Sequence, residues 1–284
     1  MRYIARMLQL IDPLQMKIAL TNDDGYDAPG ILALYQILSK FHEVRLIAPL
    51  RQQSCASHSR SLNNNIKVST TASGFIIDST PSDCVSIGIP LLIKNGFVPD
   101  FIVSGINSGA NLGGEIHYSG TFAAARQGYL MGYPSIAFSN MEMNQCVQEQ
   151  IKFKQVVNQI IHLASNEFVL NVNFPVVKMK QKQMEEKQEN IQINEKEDRL
   201  ESKVEEDINE NIEHENELKI VICEVDTEVM YRPSKEVINK TINGFEVEVS
   251  GAKETTNHIQ GRDIWMCKAG YITVSRIKGC VNCK

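Results

Sequence analysis

Short apolar runs alternate with amphipathic stretches along the chain up to Pro175. The runs predict strands at Lys17 to Thr21, Glu43 to Ala48, Phe101 to Val103, Pro134 to Phe138 and Phe168 to Asn173. Apolar positions at helical spacing predict helices at Ile31 to Phe41, Pro81 to Lys94, Ser119 to Met131 and Gln148 to Ala164. Strands and helices that alternate in this way form a mostly parallel sheet with helices on both faces, so we predict a doubly wound α/β fold.

The sequence between residues 65 and 83 predicts a hairpin followed by a helix start. Two weaker strand candidates lie within Asn65 to Ile77. Thr80 is placed as the N-cap of the next helix, Pro81 occupies its first position, and Asp83 is placed to return a capping hydrogen bond. We therefore expect a short hairpin excursion before the helix that begins at Pro81.

The composition changes after residue 177 and divides the chain into four segments. Residues 178–217 are rich in Lys, Glu, Gln and Asn and contain no aromatic residue, so they cannot bury enough apolar surface to offset the entropy of ordering. We predict a disordered acidic insertion there, between a Rossmann-like α/β core at 17–177 and a smaller β-rich C-terminal part at 218–284. Residues 1–16 are predicted to be a dispensable N-terminal extension. The strands of the C-terminal part are predicted at Lys219 to Val225, Phe245 to Val249 and Tyr271 to Arg276.

The charge distribution argues against nucleic acid as a partner. The insertion at 178–217 holds 7 Lys and Arg against 14 Asp and Glu, whereas the whole chain holds 29 and 34. The rest of the chain therefore has 22 basic and 20 acidic residues and offers no basic stripe to a nucleic-acid backbone. No apolar run approaches the roughly 20 residues that cross a bilayer, so we expect no membrane partner.

The chain contains 7 cysteines, an odd number that is scattered along its length. Such a pattern is not typical of a disulfide framework in a chain of 284 residues, and a reducing compartment, the cytoplasm, is the simpler inference. Only Cys280 and Cys283 have CxxC spacing. We interpret that pair as part of a solvated tail rather than as a zinc or redox site.

Two adjacent carboxylates, Asp23 and Asp24, follow the first predicted strand and form the centre of the candidate site. Successive strand side chains point to opposite faces, so the chain must turn here if both are to face one site, and Gly25 permits the turn. Two carboxylates in a poorly hydrated turn repel each other unless a cation or a shared proton relieves them. We interpret the pair as a divalent metal site, and the alternative is a polar turn in which one Asp caps the next helix.

Other strand ends offer further oxygen ligands. Carboxyl ends of parallel strands meet at one edge of a sheet, near the switch in strand order, so their loops can converge. Hard cations such as Mg²⁺ and Mn²⁺ take about six oxygen ligands. Ser54 and Asn107 are the best-placed candidates to join the two carboxylates. The alternatives are a loop hydroxyl for Ser54 and a turn residue for Asn107.

The same edge offers groups that bind an anion. Ser119, Gly120 and Thr121 lie at a predicted helix N-terminus, where backbone N–H groups, hydroxyls and the helix dipole favour phosphate. Asn111, in a Gly-rich loop, adds an amide donor. The alternative for Ser119 is a simple N-cap. Two histidines in the loops concerned are weaker candidates for substrate contact: His58 and His117.

Five motifs follow one another along the chain: TNDDGYDAPG, RQQSCASHS, STPSDCV, VSGINSGAN and YSGT. Together they resemble the SurE family of survival-protein nucleotidases, which are metal-dependent phosphatases that act on nucleoside monophosphates. The resemblance is close from Lys17 to Asn140. It extends more weakly to NVNFP at 171–175 and to AGYITVSRI at 269–277.

The resemblance implies a reaction and a role for each site residue. The reaction is the hydrolysis of nucleoside 5′- and 3′-monophosphates to nucleoside and phosphate, and some members also cut short polyphosphate. It implies one divalent metal ion per subunit, held by Asp23, Asp24, Ser54 and Asn107. It places the phosphate among Asn111, Ser119, Gly120 and Thr121. The catalytic set is then Asp23, Asp24, Asn111, Ser119 and Thr121. It also implies a β-rich arm that subunits exchange to form homodimers or homotetramers.

The chain departs from the family pattern at Leu50, where members usually carry an acid, and at Cys55, where they carry a small residue. We expect Leu50 to affect loop geometry or substrate contacts more than the metal. The alternative function is a nucleotide or phosphate-binding module that keeps the fold but turns over weakly. A haloacid-dehalogenase-type phosphatase fits less well, because it needs DxD spacing and Asp23 is followed directly by Asp24 and Gly25.

Overall fold

The computed structural model describes residues 15–141, 157, 160–175, 220–223, 231–241, 244–253, 267 and 272–278. The strands in this part of the chain are β1 (Lys17–Thr21), β2 (Glu43–Pro49), β3 (Val68–Thr71), β4 (Gly74–Ile77), β5 (Phe101–Ser108), β6 (Ser135–Asn140), β7 (Val169–Phe174), β8 (Ile220–Ile222), β9 (Tyr231–Thr241), β10 (Gly244–Lys253) and β11 (Ile272–Ile277). The helices with defined bounds are α1 (Pro29–Leu38), α2 (Pro81–Lys94) and α3 (Gly120–Leu130), and a short 3₁₀ helix spans Gly113–His117.

A nine-stranded sheet with the order β3-β4-β2-β1-β5-β6-β7-β11-β8 forms the centre of the fold. The six strands from β4 to β7 in this order run parallel to one another, whereas β3 and β11 are antiparallel to β4 and β7. The chain places β2 on one side of β1 and β5 on the other, so the strand order reverses between β1 and β5. This topology confirms the predicted α/β fold, and ligands bind such sheets at the carboxyl ends of the strands beside the reversal.

Helices cover both faces of this sheet because the buried strands are apolar on both sides. α1 packs Ile31 and Leu34 onto one face, with Ile18 and Leu20 of β1 and alternate residues of β5, β6 and β7. α2 and α3 cover the opposite face, where Ala19 of β1 lies. The helix predicted at 148–164 is described at positions 157, 160 and 161, which are helical and belong to the first cluster.

Strand β5 is longer than the sequence predicts. The expected strand was Phe101 to Val103 followed by a turn, whereas β5 continues to Ser108 and pairs with β6 on both sides of an irregularity between Ser104 and Asn107. A side chain at Gly105 would lie 2.3 Å from the Phe138 carbonyl oxygen, so only glycine allows the two strands to stay this close. Asn107 is therefore the second-last residue of a strand, so the alternative of a turn residue does not fit it, and its role as a metal ligand stays a prediction.

Other element boundaries differ by a few residues. α1 ends at Leu38 rather than at Phe41. The sequence did not predict β9, which pairs with β10 in a separate two-stranded antiparallel sheet. β8 and β11 lie in the nine-stranded sheet, next to β7. The insertion at 178–217 and most of the N-terminal extension lie outside the described residues, so the four-segment division stays a prediction.

None of the helices in the described part of the chain combines the length and the apolar character needed to cross a bilayer.

Candidate active site

The chain turns away from the sheet directly after β1. Asn22 and Asp23 follow the strand and are still buried, and the Asn22 side-chain amide donates to the Gly25 carbonyl oxygen at 2.7 Å. Gly25 has φ +114°, which an L side chain rarely adopts, so glycine is needed at this position. The turn aims Asp23 toward the helix α3 that follows β5.

Asp23 packs directly against the first residues of α3. The Thr121 hydroxyl donates a hydrogen bond to Asp23 Oδ1. A Cβ atom at Gly120 would lie 2.8 Å from both Cβ and Oδ2 of Asp23, so the helix can begin this close only because residue 120 has no side chain. The sequence suggested that Gly120 lends a backbone amide, and the structure adds a steric reason for glycine there.

Both carboxylates of the pair resist ionisation. Burial, together with the neighbouring charge of Asp24, raises the pKa of Asp23 from 3.8 to about 6, although the hydrogen bonds from Thr121 oppose the shift. Burial also raises the pKa of Asp24, partly offset by a hydrogen bond from the Ser108 N–H to its Oδ2 at 3.2 Å. Two adjacent carboxylates with raised pKa values are the arrangement that a bound cation stabilises.

The end of β5 meets the carboxylate pair. The Ser108 N–H that donates to Asp24 adjoins Asn107, which is half-buried. Asn107 Nδ2 donates to the Gly109 carbonyl oxygen at 2.9 Å, and this bond leaves its Oδ1 without a partner among the described residues. Asn107 is therefore the neighbour in sequence of a residue bonded to Asp24, and its role as a metal ligand stays a prediction.

The loop that follows β2 also reaches the pair. The Gln53 N–H donates to the backbone carbonyl of Asp23 at 2.7 Å, which places the next residue, Ser54, at the edge of the site. Ser54 is exposed, and its Oγ accepts a hydrogen bond from Gln52 Nε2 at 3.0 Å. The structure thus brings the segments that carry Asp23, Ser54 and Asn107 together at one edge of the sheet.

The same loop is tied to the segment before α3. Ser57 donates to the carbonyl oxygens of His117 and Tyr118, from its hydroxyl at 2.7 Å and from its N–H at 3.0 Å. Residues 55 and 57 have φ values of +58° and +52°, in the left-handed region that is costly for side chains. Cys55 therefore adopts a backbone conformation that glycine adopts at lower cost.

The His58 ring is hydrogen-bonded within the protein. Its Nε2 lies 2.9 Å from Gln127 Oε1 on α3, so the ring fastens the loop to that helix. The His117 side chain is exposed, and the His117 carbonyl oxygen accepts the hydrogen bond from the Ser57 hydroxyl. The polar loop role fits His58 better, and substrate contact by either ring stays a prediction.

Asp83 anchors the far end of the loop. The Thr80 hydroxyl accepts from the Asp83 N–H at 3.3 Å, as expected of an N-cap. The carboxylate does not serve as the returning half of a capping box. It accepts from Arg60 Nε at 2.7 Å, from the Ser61 N–H at 2.8 Å and from the Ser79 hydroxyl at 2.7 Å. Burial alone would raise the pKa of Asp83, but these hydrogen bonds outweigh it and hold the pKa below its ordinary value.

The start of α3 keeps groups available for an anion. Ser119 is the N-cap, and its Oγ accepts from the Phe122 N–H at 3.0 Å, so the simple capping role is present. A capping hydroxyl still has its own hydrogen to donate. The Gly120 N–H lies in the first turn, where helix amides have no partner within the helix, whereas the Thr121 N–H is directed to the Asp23 carboxylate. This N-terminus can bind phosphate beside Asp23.

Asn111 is buried and held from several sides. Its Nδ2 donates to Ser139 Oγ at 2.8 Å, and its backbone is bonded by Asn171 and Asn173 of β7. One amide hydrogen and Oδ1 of Asn111 remain for a ligand. The sequence reasoning gave no role to Ser139, Asn171 or Asn173. The signal for the two asparagines was their alternation in a strand that is otherwise apolar.

The donor set fits a hard divalent cation. Among the described residues no group of three or more His, Cys, Asp or Glu side chains could hold a metal ion, and the predicted set contains only two carboxylates, joined by a hydroxyl and an amide. Asn22 Oδ1 is a further buried oxygen next to the pair, with no partner among the described residues. An all-oxygen set of this kind suits Mg²⁺ or Mn²⁺ rather than zinc.

Comparisons with known proteins identify the family of the chain. A family model described as "Survival protein SurE" matches residues 18–199. A "5'-nucleotidase SurE" of Polaromonas sp. (strain JS666 / ATCC BAA-500) is 42% identical over 173 residues, which cover 56% of this chain and 66% of that protein. A "5'-nucleotidase SurE" of Aliarcobacter butzleri (strain RM4018) is 38% identical over 167 residues, covering 57% and 63%. The chain thus spans just under two thirds of the length of these relatives.

The fold also matches a solved structure over nearly its whole length. The SurE protein from Aquifex aeolicus superposes with a TM-score of 0.68 and 25% sequence identity, covering 94% of this chain and 95% of the other.

Proposed function

The chain belongs to the SurE family of survival proteins, and we propose that it is a divalent-metal-dependent phosphomonoesterase that hydrolyses nucleoside 5′- and 3′-monophosphates to nucleoside and phosphate. The observation that carries the proposal is the meeting of four chain segments where the strand order reverses. Asp23 lies against the N-terminus of α3, and the segments of Asp24, Ser54 and Asn107 adjoin it. Relatives named 5'-nucleotidase support this reaction class.

One metal ion per subunit, Mg²⁺ or Mn²⁺, would be held by Asp23, Asp24, Ser54 and Asn107. When bound, the ion supplies positive charge that polarises a phosphoryl oxygen and neutralises charge in the transition state. The buried carboxylate pair favours such a ligand, because each member has a raised pKa when no cation is near.

The residues of α3 and its approach would orient the phosphate. The Ser119 hydroxyl and the Gly120 N–H would hold the equatorial oxygens, Asn111 would add an amide donor, and Thr121 would complete the phosphate site beside Asp23, to which it is bonded. The Thr121 hydroxyl fixes Asp23 through Oδ1 and leaves Oδ2 facing the helix start. Asp23 is then placed either to take a proton from the attacking water or to attack phosphorus itself.

We further propose that the protein forms homodimers or homotetramers in the cytoplasm. The β9–β10 ribbon pairs in its own two-stranded sheet, as an exchanged arm would. Cys55 and Cys84 form no disulfide with another described residue, which is compatible with a reducing compartment. Chain mass in solution, measured by light scattering, tests the assembly.

Phosphate release from a panel of nucleoside 5′- and 3′-monophosphates tests the proposed reaction. The panel is run with Mg²⁺, with Mn²⁺ and with a chelator, and short polyphosphate is one further substrate. We expect turnover with metal and none with chelator. Nucleotide binding without phosphate release would instead support the alternative, a binding module on the same fold.

A further inference from the structure

Two buried asparagines on β7 form a polar pair in an apolar strand. Asn171 and Asn173 are two residues apart and therefore share a face of the sheet, the one opposite Leu170 and Val172. They are 0% and 1% exposed. A buried amide destabilises a core unless it is hydrogen-bonded, so the bonds that these side chains make explain why the strand tolerates them.

Both asparagines bond to the main chain of a single residue, Asn111. Asn173 Oδ1 accepts from the Asn111 N–H at 2.8 Å, and Asn173 Nδ2 donates to the Asn111 carbonyl oxygen at 3.1 Å. Asn171 Nδ2 donates to the same carbonyl oxygen at 2.8 Å. The N–H and both lone pairs of the Asn111 carbonyl are thereby satisfied by side chains from a strand about 60 residues further along the chain.

Asn173 belongs to a polar row that crosses the sheet in register. Asn107 of β5 lies opposite Ser139 of β6, Ser139 lies opposite Asn173, and Asn173 lies opposite Thr273 of β11. Ser139 also accepts from the Asn111 side chain at 2.8 Å. The row therefore links the strand end that carries Asn107 to Asn111, which is assigned to phosphate in the proposed function.

From these contacts we infer that Asn171 and Asn173 are positioning residues, which hold Asn111 in the geometry that binds phosphate. The inference rests on the proposed function, since Asn111 is assigned to phosphate there. Asn171 and Asn173 act through Asn111 and do not touch the substrate. The Asn171 Oδ1 atom is buried without a partner among the described residues, and such an atom lowers the stability of the fold. If Asn171 had only a structural role, an apolar residue at this position would give a more stable fold.

The test compares Asn173→Ala and Asn171→Ala with the wild type. Titration calorimetry with inorganic phosphate and Mn²⁺ gives the dissociation constant for phosphate without turnover, and steady-state assays give kcat and KM for a nucleoside 5′-monophosphate. We expect Asn173→Ala, which loses two hydrogen bonds, to weaken phosphate binding and raise KM about tenfold. Asn171→Ala loses one bond and should change both by about threefold.

Thr273→Val is the matched control. Thr273 lies opposite Asn173 in the same buried row, and its hydroxyl has no partner among the described residues, so this variant should keep both constants within twofold of the wild type. Asn173→Asp keeps the acceptor and loses the donor. If Asn173→Ala does not fold, the same two constants are measured on Asn173→Asp, and weaker phosphate binding with a raised KM is expected.

The inference is wrong if the Asn171 and Asn173 variants fold and have the same dissociation constant for phosphate and the same KM as the wild type. A lowered melting temperature in such variants would show only a structural role. A wild type that does not bind phosphate would also overturn the inference. A wild type that binds phosphate but releases none from nucleotides would refute the proposed reaction, while the phosphate titrations would still decide the positioning role.

Discussion

Asp23 is a carboxylate in a place that disfavours its charge. It is 4% exposed, next to a second carboxylate, and its pKa lies near 6 instead of 3.8. Between these two pH values the folded protein binds more protons at this position than the unfolded chain does. Without metal, the stability that Asp23 contributes therefore falls as pH rises from about 4 to about 6, and it stays low above that range.

Asp23→Asn should therefore stabilise the metal-free protein while abolishing its activity. At pH 8 we expect a gain on the order of 2 kcal/mol in the free energy of unfolding, because the amide carries no charge and still accepts from Thr121. The gain should vanish near pH 4. Urea unfolding with chelator, at pH 4, 6 and 8, measures it. Equal stability of variant and wild type at pH 8 would show that the burial of this charge has no cost.

Gly120→Ala should separate folding from activity. Alanine is favoured over glycine in a helix, but its Cβ would lie 2.8 Å from Asp23 Cβ and Oδ2 and would displace the carboxylate. We expect the melting temperature to change by only a few degrees and kcat to fall at least a hundredfold. Thermal unfolding measures the melting temperature, and phosphate release measures kcat. Near-normal turnover would mean that the position of Asp23 against α3 is not needed for the reaction.

The loop from β2 to β3 is fixed at one end by a backbone hydrogen bond and further along by side-chain hydrogen bonds. Gln53 fastens it to Asp23, His58 fastens it to α3, and Asp83 binds Arg60 and the backbone of Ser61. This loop has no regular secondary structure, and it carries Ser54. Its hydrogen bonds therefore determine where this proposed metal ligand lies. The anchors are far apart in sequence, so they depend on the sheet being assembled first.

Asp83→Asn should loosen this loop. We expect a loss of about 2 kcal/mol in stability at pH 7 and a several-fold rise in the Mn²⁺ concentration needed for half-maximal activity. Because the pKa of Asp83 is lowered in the fold, the loss should disappear as pH falls through that pKa. Denaturant unfolding and a Mn²⁺ activation curve measure the effects.

Asp78→Asn is the control for this loop. The ion pair between Arg51 and Asp78 is 3.9 Å long, and the Arg51 side chain is 74% exposed, so its loss should cost less than about 0.5 kcal/mol. If both variants need the same Mn²⁺ concentration as the wild type, Asp83 does not position Ser54.

Apolar periodicity predicted most elements of the core because each of the central strands β1, β2, β6 and β7 contains a short, mostly buried apolar segment. Local rules failed where a long-range contact took precedence. Asp83 satisfies the capping spacing, yet its carboxylate binds a loop some 22 residues earlier. Gly105 resembles a turn residue, yet it lets β5 continue beside β6. The bonds between Asn111 and β7 depend on sheet register, which a local pattern does not contain.

At the scale of the whole molecule, the strands before and after the insertion, β7 and β8, lie in the same sheet on either side of β11. Asn173 pairs with Thr273 and Ile220 pairs with Ile272, so the end of β7 and the start of β8 flank the same point of β11. Two strand spacings of about 4.8 Å separate them, or roughly 10 Å. A connection of a few residues is long enough to span this distance.

Deletion of residues 178–217 should therefore leave catalysis intact. The deletion keeps a five-residue connection, Pro175, Val176, Val177, Leu218 and Lys219, which reaches roughly 16 Å when extended. We expect kcat and KM within about twofold of the wild type, measured by phosphate release. An unfolded or inactive product would show that the insertion is part of the catalytic fold.

Calorimetric titration of Mn²⁺ into the metal-free protein tests the central claim most directly, with Asp24→Asn and Asn107→Ala as variants and Asp78→Asn as the control. We predict one Mn²⁺ per subunit for the wild type and the control. The Asp24 variant should show no measurable binding, and the Asn107 variant should bind at least tenfold more weakly. Absence of binding by the wild type, or unchanged binding by both site variants, would contradict a metal site built from these strand ends.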